Sequence, residues 1–431
     1  MKKLTASIKV TYNVITLTTI SEVKQGGSTI NNKTMITSAA AILLLIFDIS
    51  FGVIGWVNKN NELTQNKESQ KVNISNTDRV KERQEKEKDQ DFSLNNQEKK
   101  IHELISSMTL EEKVGQLFLG RVPIESQQDK IRQYYLGGYL LFGRDMESET
   151  PATLKKKIAS YQEVSSIPLF IASDEEGGTV SRLSSGNNLV PEQFKSPMEI
   201  YQEAGLAGIR SDSQKKSKVL RSYGIQVGLF PVADVAIDPE AFIYDRTLGL
   251  DAEKTSEYVK TSVEELRKQR IASTLKHFPG YGDNRDSHVE IVYDTRSLET
   301  LQQIDFLPFK AGIAAGADSI MVSHNIVTSI DSTVPASISQ PVHDVLRNEL
   351  GFKGVIMTDD MDMAGLADFI SQEEAGLEAL KAGNDLILSS SFEEQIPYVI
   401  QGIEQGAYSE ENLNQSVYRV LKMKSDLGLL K

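Results

Sequence analysis

Apolar positions fall along this chain in two different patterns. The first is one unbroken run from Met35 to Val57, MITSAAAILLLIFDISFGVIGWV, in which Asp48 is the only charge. A helix of roughly 20 apolar residues crosses a bilayer, and Trp56 stands where an interfacial aromatic belongs. The alternative, a buried helix of a soluble domain, finds nothing to pack on in the polar tract that follows. Asp48 is the weak point, because a carboxyl at mid-membrane is costly unless protonated or paired. From Asn58 to about Gln97 the apolar pattern disappears into Asn, Gln, Lys and Glu with the mixed-charge run DRVKERQEKEKDQD. Such a tract buries too little surface to offset its ordering entropy and reads as a solvated spacer.

The second pattern begins near Glu98. Short apolar runs recur as VGQLFLG from Val114, GGYLLFG from Gly137, PLFIASD from Pro168, IQVGLFPVADV from Ile225, ASTLKHFPG from Ala272, SIMVSHNIV from Ser319, GVIMTDDM from Gly354 and DLILSS from Asp385. Between them lie helical patterns such as SEYVKTSVEELRKQ and EEAGLEALKAG, several closed by Gly. Continuous apolar strands separated by helices indicate a parallel sheet, and eight such units indicate an α/β fold of the closed (β/α)8 TIM-barrel type. An open doubly wound sheet is the alternative, but the sequence has no Gly-rich dinucleotide loop. The expected organisation is a short segment 1–34, a membrane-crossing anchor 35–57, a spacer 58–97 and a folded barrel 98–431.

Charge and composition narrow the class. The chain has 431 residues, with 47 Lys+Arg against 60 Asp+Glu and a formal charge of -13, which opposes attraction to phosphate backbones and makes nucleic acid an unsuitable partner. Its 39% hydrophobic and 25% charged residues exclude a wholly disordered or multi-span membrane chain. With no cysteine there is no disulfide framework, thiolate nucleophile or Cys-ligated zinc. Lys2, Lys3, Lys9, Lys24 and Lys33 precede the apolar run against only Glu22, so its N-terminus is expected in the cytoplasm and the barrel outside. The run is long for a signal-peptide core and no A-x-A site follows it, which favours an uncleaved anchor over a secreted product.

A barrel carries its chemistry at the C-terminal ends of its strands. Here Asp174 ends the third run, Asp234 the fourth, Lys276 and His277 the fifth, His324 the sixth, and Asp359 with Asp360 the seventh. Capping alone does not readily make five successive strand ends ionisable, so one shared mouth is expected. The densest cluster is KHFPGYGDNRDSH, Lys276 to His288, where Asp286 stands two residues before His288, close enough to hold an imidazole N–H. An imidazole, with a reference pKa of about 6.5, both gives and accepts protons near neutrality. Asp283, Asp286, His288 and Glu290 could instead converge on a metal ion, though no helical His pair supports that reading.

That loop, together with SDEEGGTVSRL at Ser173 to Leu183, DRTLG at Asp245 to Gly249, VIMTDDMDM at Val355 to Met363, MTLEEKVGQLF and LLFGRDM, resembles glycoside hydrolase family 3. The particular similarity is to its single-domain β-N-acetylglucosaminidases, or β-N-acetylhexosaminidases, that trim peptidoglycan fragments, and it covers the chain from about residue 98 onward. The resemblance implies that Asp359 is the nucleophile, His288 the general acid/base and Asp286 its partner, with Asp360 a fallback nucleophile. It further implies that Asp174, Arg182, Arg246, Lys276 and His277 bind substrate, with no metal or organic cofactor. The carbohydrate partner would be a terminal β-linked N-acetylglucosamine, removed with retention through a covalent glycosyl-aspartate. A β-glucosidase, a glycoside phosphorylase and a non-catalytic wall-binding barrel are the alternatives.

Three departures qualify the resemblance. Tyr281 replaces the second histidine of the usual KHFPGHGD, which is expected to alter loop packing and not the chemistry. Glu175 and Thr179 stand in a motif that usually reads DQEGGRV and are expected to alter contacts with the sugar. Many relatives carry the acid/base as a Glu on a second domain; no such domain follows here, which favours the histidine-loop subgroup.

Overall fold

The computed structural model describes residues 96–185 and 188–430. The segments read as cytoplasmic tail, membrane anchor and nearly all of the spacer lie outside the described residues. Among those described, no helix is long and apolar enough to cross a membrane.

All eight expected units form, as β1 (Phe118–Arg121), β2 (Gly138–Leu141), β3 (Phe170–Ser173), β4 (Val227–Gly228), β5 (Thr274–Phe278), β6 (Ser319–Val322), β7 (Val355–Thr358) and β8 (Ile387–Ser389). Parallel ladders run β8-β1-β2-β3-β4 on one side and β7-β6-β5 on the other. Parallel bridges Val227 to Ala272, Val232 to Lys276 and Met357 to Leu386 join the two sheets, so the barrel closes. Helices sit between successive strands, among them Pro151–Val164, Ala252–Gln269 and Gln372–Ala382. Their inner faces follow the sequence period: Leu154, Ile158 and Tyr161 are buried on the first, and Tyr258, Val259, Val263 and Leu266 on the second. Ser196 caps Pro197–Tyr223 in a capping box with Glu199 and Pro at the first turn, so that start is written locally.

Two runs are shorter as strands than their apolar patterns suggest. Val114 to Gln116 belong to the helix Leu110–Gln116, launched by a capping box between Thr109 and Glu112, and β1 starts only at Phe118. In Ile225 to Val235 only Val227–Gly228 pair as a strand; Pro231 has no N–H to give a ladder, and beyond it the backbone pairs with the next strand at the isolated bridge Val232 to Lys276.

Candidate active site

Every strand-end group named above arrives at one end of the barrel. A cavity of about 350 Å³ is lined there by Asp174, Arg182, Arg246, Lys276, His277, His288 and Asp359, with Arg121, Phe142, Asp360 and Met363. Leu140, Leu229, Met321 and Leu388 also line it, from four different strands or strand ends. Of the eight expected site residues only Asp286 does not line it, and Asp286 accepts the His288 Nδ1–H at 2.6 Å and the His288 backbone N–H at 2.9 Å.

One wall is a chain of buried charges. Lys276 Nζ donates to Asp174 Oδ1 at 2.8 Å and lies 2.6 Å from Glu176 Oε1. Arg246 grips Glu176 with two bonds of 2.9 and 2.8 Å and reaches His277 Nε2 at 3.1 Å. His277 Nδ1 donates to Asp234 Oδ2 at 2.8 Å, and Arg182 donates to Asp174 Oδ2 at 3.1 Å. Burial pushes the Glu176 carboxyl up, but Arg246 and Lys276 outweigh it and hold the group well below the carboxylate range. Burial likewise opposes charge on Lys276, yet Asp174 and Glu176 raise it above the usual ammonium value. The wall is therefore a row of fixed charges and hydrogen-bonding edges, suited to a ring bearing several hydroxyls.

The same cavity is lined by Asp359, at the end of β7. Its Oδ1 accepts the Asp360 N–H at 2.9 Å, while its buried Oδ2 has no hydrogen-bond partner among the described residues. Burial pushes this carboxyl up, and the imidazoles of His277, His324 and His288 overcome that and set it below its ordinary value. An ionised carboxylate beside a cavity, with one oxygen free of hydrogen-bond partners among the described residues, has the charge and lone pair that a nucleophile requires. Asp360 is differently placed: Arg121 donates to its Oδ2 at 3.2 Å, the Asp362 N–H to its Oδ1 at 3.2 Å, and burial raises it to about 7. Geometry thus favours Asp359 over its neighbour.

Several sequence expectations change. Glu175 is fully buried away from the cavity, accepting hydrogen bonds from Ser173 Oγ at 3.0 Å, Ser181 Oγ at 2.5 Å and the Leu183 N–H at 2.8 Å. Its role is to hold the Glu175–Gly177 and Val180–Ser181 hairpin, not to touch a sugar. Thr179 is exposed and lines a separate groove with Gln193 and Lys195. Of the four residues of the alternative metal reading, Asp286 is engaged with His288 at 2.6 Å and Glu290 with Arg285 at 3.4 Å, and no group of three or more His, Asp or Glu placed to hold a metal ion occurs among the described residues. Glu176, central to the wall, carried no role in the sequence reading; its position two residues after Asp174 on an extended segment was the available signal.

The fold, the mouth and the motif-bearing loops agree with one family. Residues 109–423 match the model of the glycosyl hydrolase family 3 N-terminal domain. The chain belongs to glycosyl hydrolase family 3. Among the relatives of this family 3 chain is a β-hexosaminidase of Xanthomonas oryzae pv. oryzae, 34% identical over 268 residues that make up 61% of this chain and 78% of that one. A family 3 β-N-acetylglucosaminidase from Paenibacillus sp. superposes with a TM-score of 0.70 at 29% identity, covering 75% of this chain and 63% of its own. A β-N-acetylhexosaminidase from Beutenbergia cavernae superposes with a TM-score of 0.66 at 26% identity, covering 74% of this chain and 99% of its own.

Proposed function

We propose that this family 3 chain is a β-N-acetylhexosaminidase that removes terminal β-linked N-acetylglucosamine with retention. The observation that carries the reading is that one cavity is lined both by Asp359, a carboxylate held below its ordinary value, and by an imidazole, His288, oriented by Asp286. The Asp359 carboxylate attacks the anomeric carbon as the His288 Nε2–H protonates the departing oxygen, and a glycosyl-aspartate forms. His288, now able to accept a proton at Nε2, takes one from water, which displaces Asp359 from the same carbon. Asp286 keeps the ring in the tautomer that both steps need. A histidine avoids a second carboxylate beside the nucleophile, whereas a paired carboxylic acid must be kept neutral by its surroundings. Asp174, Arg182, Arg246, Lys276 and His277 hold the sugar hydroxyls. Peptidoglycan fragments are the substrate class, and residues 35–57 anchor the chain in the cell membrane with the barrel on the wall side.

The test compares release of an aryl leaving group from β-N-acetylglucosaminide and β-glucoside, with and without phosphate. Preference for the N-acetyl sugar, without acceleration by phosphate, is expected; preference for glucose or a phosphate requirement points to the other family chemistries. Asp359→Asn is expected to lower kcat by about four orders of magnitude, and His288→Ala to lower kcat/KM on a disaccharide by about 10²–10⁴-fold, with less loss on an activated aryl glycoside. Full activity of either variant on the disaccharide sinks the assignment. Deletion of residues 1–57 is expected to move the protein from the membrane pellet to the supernatant with kcat unchanged; continued sedimentation would remove the anchor.

A further inference from the structure

The tip of the β5 loop carries Asp286, Ser287 and His288, and its middle residue behaves unlike its neighbours. Ser287 is wholly buried, while His288 is exposed at the mouth. The bonds within the tip are local: Asp286 Oδ1 takes both the ring and the backbone N–H of His288, which shapes the tip without placing it. Among the described residues, the hydrogen bonds from the tip to segments outside it run through Ser287. Its Oγ lies 2.5 Å from the Tyr281 hydroxyl, and its carbonyl accepts the Gly365 N–H at 2.9 Å. Gly365 belongs to the segment after β7, the strand that ends at the nucleophile, and a Cβ there would come within 2.7 Å of the Ser287 carbonyl.

Tyr281 is equally buried and is itself fixed to the charged wall. Its N–H donates to Asp234 Oδ1 at 2.8 Å, and its ring meets His277 edge-on at 5.2 Å. Asp234 and His277 are parts of that wall, so the buried hydroxyl pair ties the tip that carries His288 to the sugar wall, and the Ser287 carbonyl ties it to the segment after β7. We propose that Tyr281 and Ser287 form a latch, two positioning residues that hold His288 at a set separation from Asp359. The proposal rests on the roles assigned above to His288 and Asp359. A proton donor must lie within about 2.6–3.2 Å of the oxygen it protonates, and a misplacement near 1 Å costs about a hundredfold. The latch supplies that placement, and Tyr281 at this site is a departure from the histidine of the family pattern.

The test uses Tyr281→Phe, Ser287→Ala and the double variant in the full chain, each checked for an unchanged thermal unfolding midpoint. Their kcat/KM is measured on an N-acetylglucosamine-terminated disaccharide, whose leaving alcohol needs a proton, and on an aryl glycoside whose leaving group does not. Each single change is expected to lower the disaccharide value about tenfold and the aryl value less than about twofold. The double variant should lose no more than the worse single, because one bond is removed in all three. An unchanged ratio between the two substrates overturns the latch, as does an equal loss on both, which marks a general structural effect. Inactivity of the unaltered chain on both substrates overturns the assignment of His288 and Asp359, and the latch with it; an active chain with an unmoved ratio overturns the latch alone.

Discussion

Glu176 is 2% exposed and shared between Arg246 and Lys276, so its charge matters more than its shape. Glu176→Gln keeps the volume but leaves two buried cations short of a counter-charge. Breaking a buried pair in this way costs about 3 kcal/mol or more. The variant is expected to unfold at lower urea concentration and to lose about 10²-fold or more in kcat/KM through displacement of Arg246 and Lys276; unchanged kinetics would remove Glu176 from the site. At this scale the sequence was most legible where chemistry is local. The spacing of Asp286 and His288 is itself the geometry, since an Asx-type turn closes within two residues. Asp174 and Lys276 lie 102 positions apart in the chain and meet only because β3 and β5 end at the same mouth. Glu175 and Glu176 are chemically alike and adjacent, and extended backbone sends their side chains to opposite faces, one into a hairpin and one into the site.

The β5 loop is the element on which the site depends most. Gly280 at φ 120° and Gly282 at φ 53° give it a path open to few other residues. A Cβ at Gly280 would meet Asp305 Oδ1 at 2.3 Å, and one at Gly282 would meet Arg296 at 2.2 Å. Arg296 clamps the whole turn, donating to Asp294, to Asp305 at 2.9 Å and to the Gly280 carbonyl at 2.7 Å. Burial pushes the Asp305 carboxyl up to about 7 against the pull of Arg296. Arg296→Met leaves both carboxylates without their cation, and a loss of about 3 kcal/mol is expected. A carboxyl whose pKa is raised on folding binds more protons folded than unfolded, so its contribution to stability falls as pH rises from about 4 through the folded value. The Arg296→Met deficit should therefore be larger at pH 8 than at pH 5 in urea unfolding; a deficit independent of pH would deny Arg296 this part. Element identity was readable from period and length, whereas the limits of β1 and β4 were not. The helix Leu110–Gln116, launched by a capping box, takes the residues before β1, and Pro231 interrupts the ladder after β4, neither of which hydrophobicity alone shows.

Across the whole molecule the two barrel ends divide their work, with chemistry at the mouth and closure at the base. At the base Lys424, from the last helix Glu410–Asp426, is fully buried against the Phe170 ring at 5.1 Å and donates to Gln116 Oε1 at 2.6 Å. Burial alone lowers its pKa to about 7. Between about pH 7 and the unfolded value near 10.4 the unfolded chain binds the extra proton, so the stability due to this group rises with pH over that window. Lys424→Met, which has no such proton, should gain more on the parent at pH 6 than at pH 10; thermal midpoints across that range check it, and a constant difference would mean that Lys424 stays charged inside. From sequence alone came the family, the eight alternating units and the groups at the strand ends, because strand and helix periods and loop motifs are encoded in neighbouring residues. Tertiary structure alone decided which of two adjacent aspartates keeps an oxygen without a hydrogen-bond partner among the described residues, that Glu176 joins the wall while Glu175 does not, and that Tyr281 reaches Ser287. Those outcomes depend on distances between segments remote in the chain, and only barrel closure sets them.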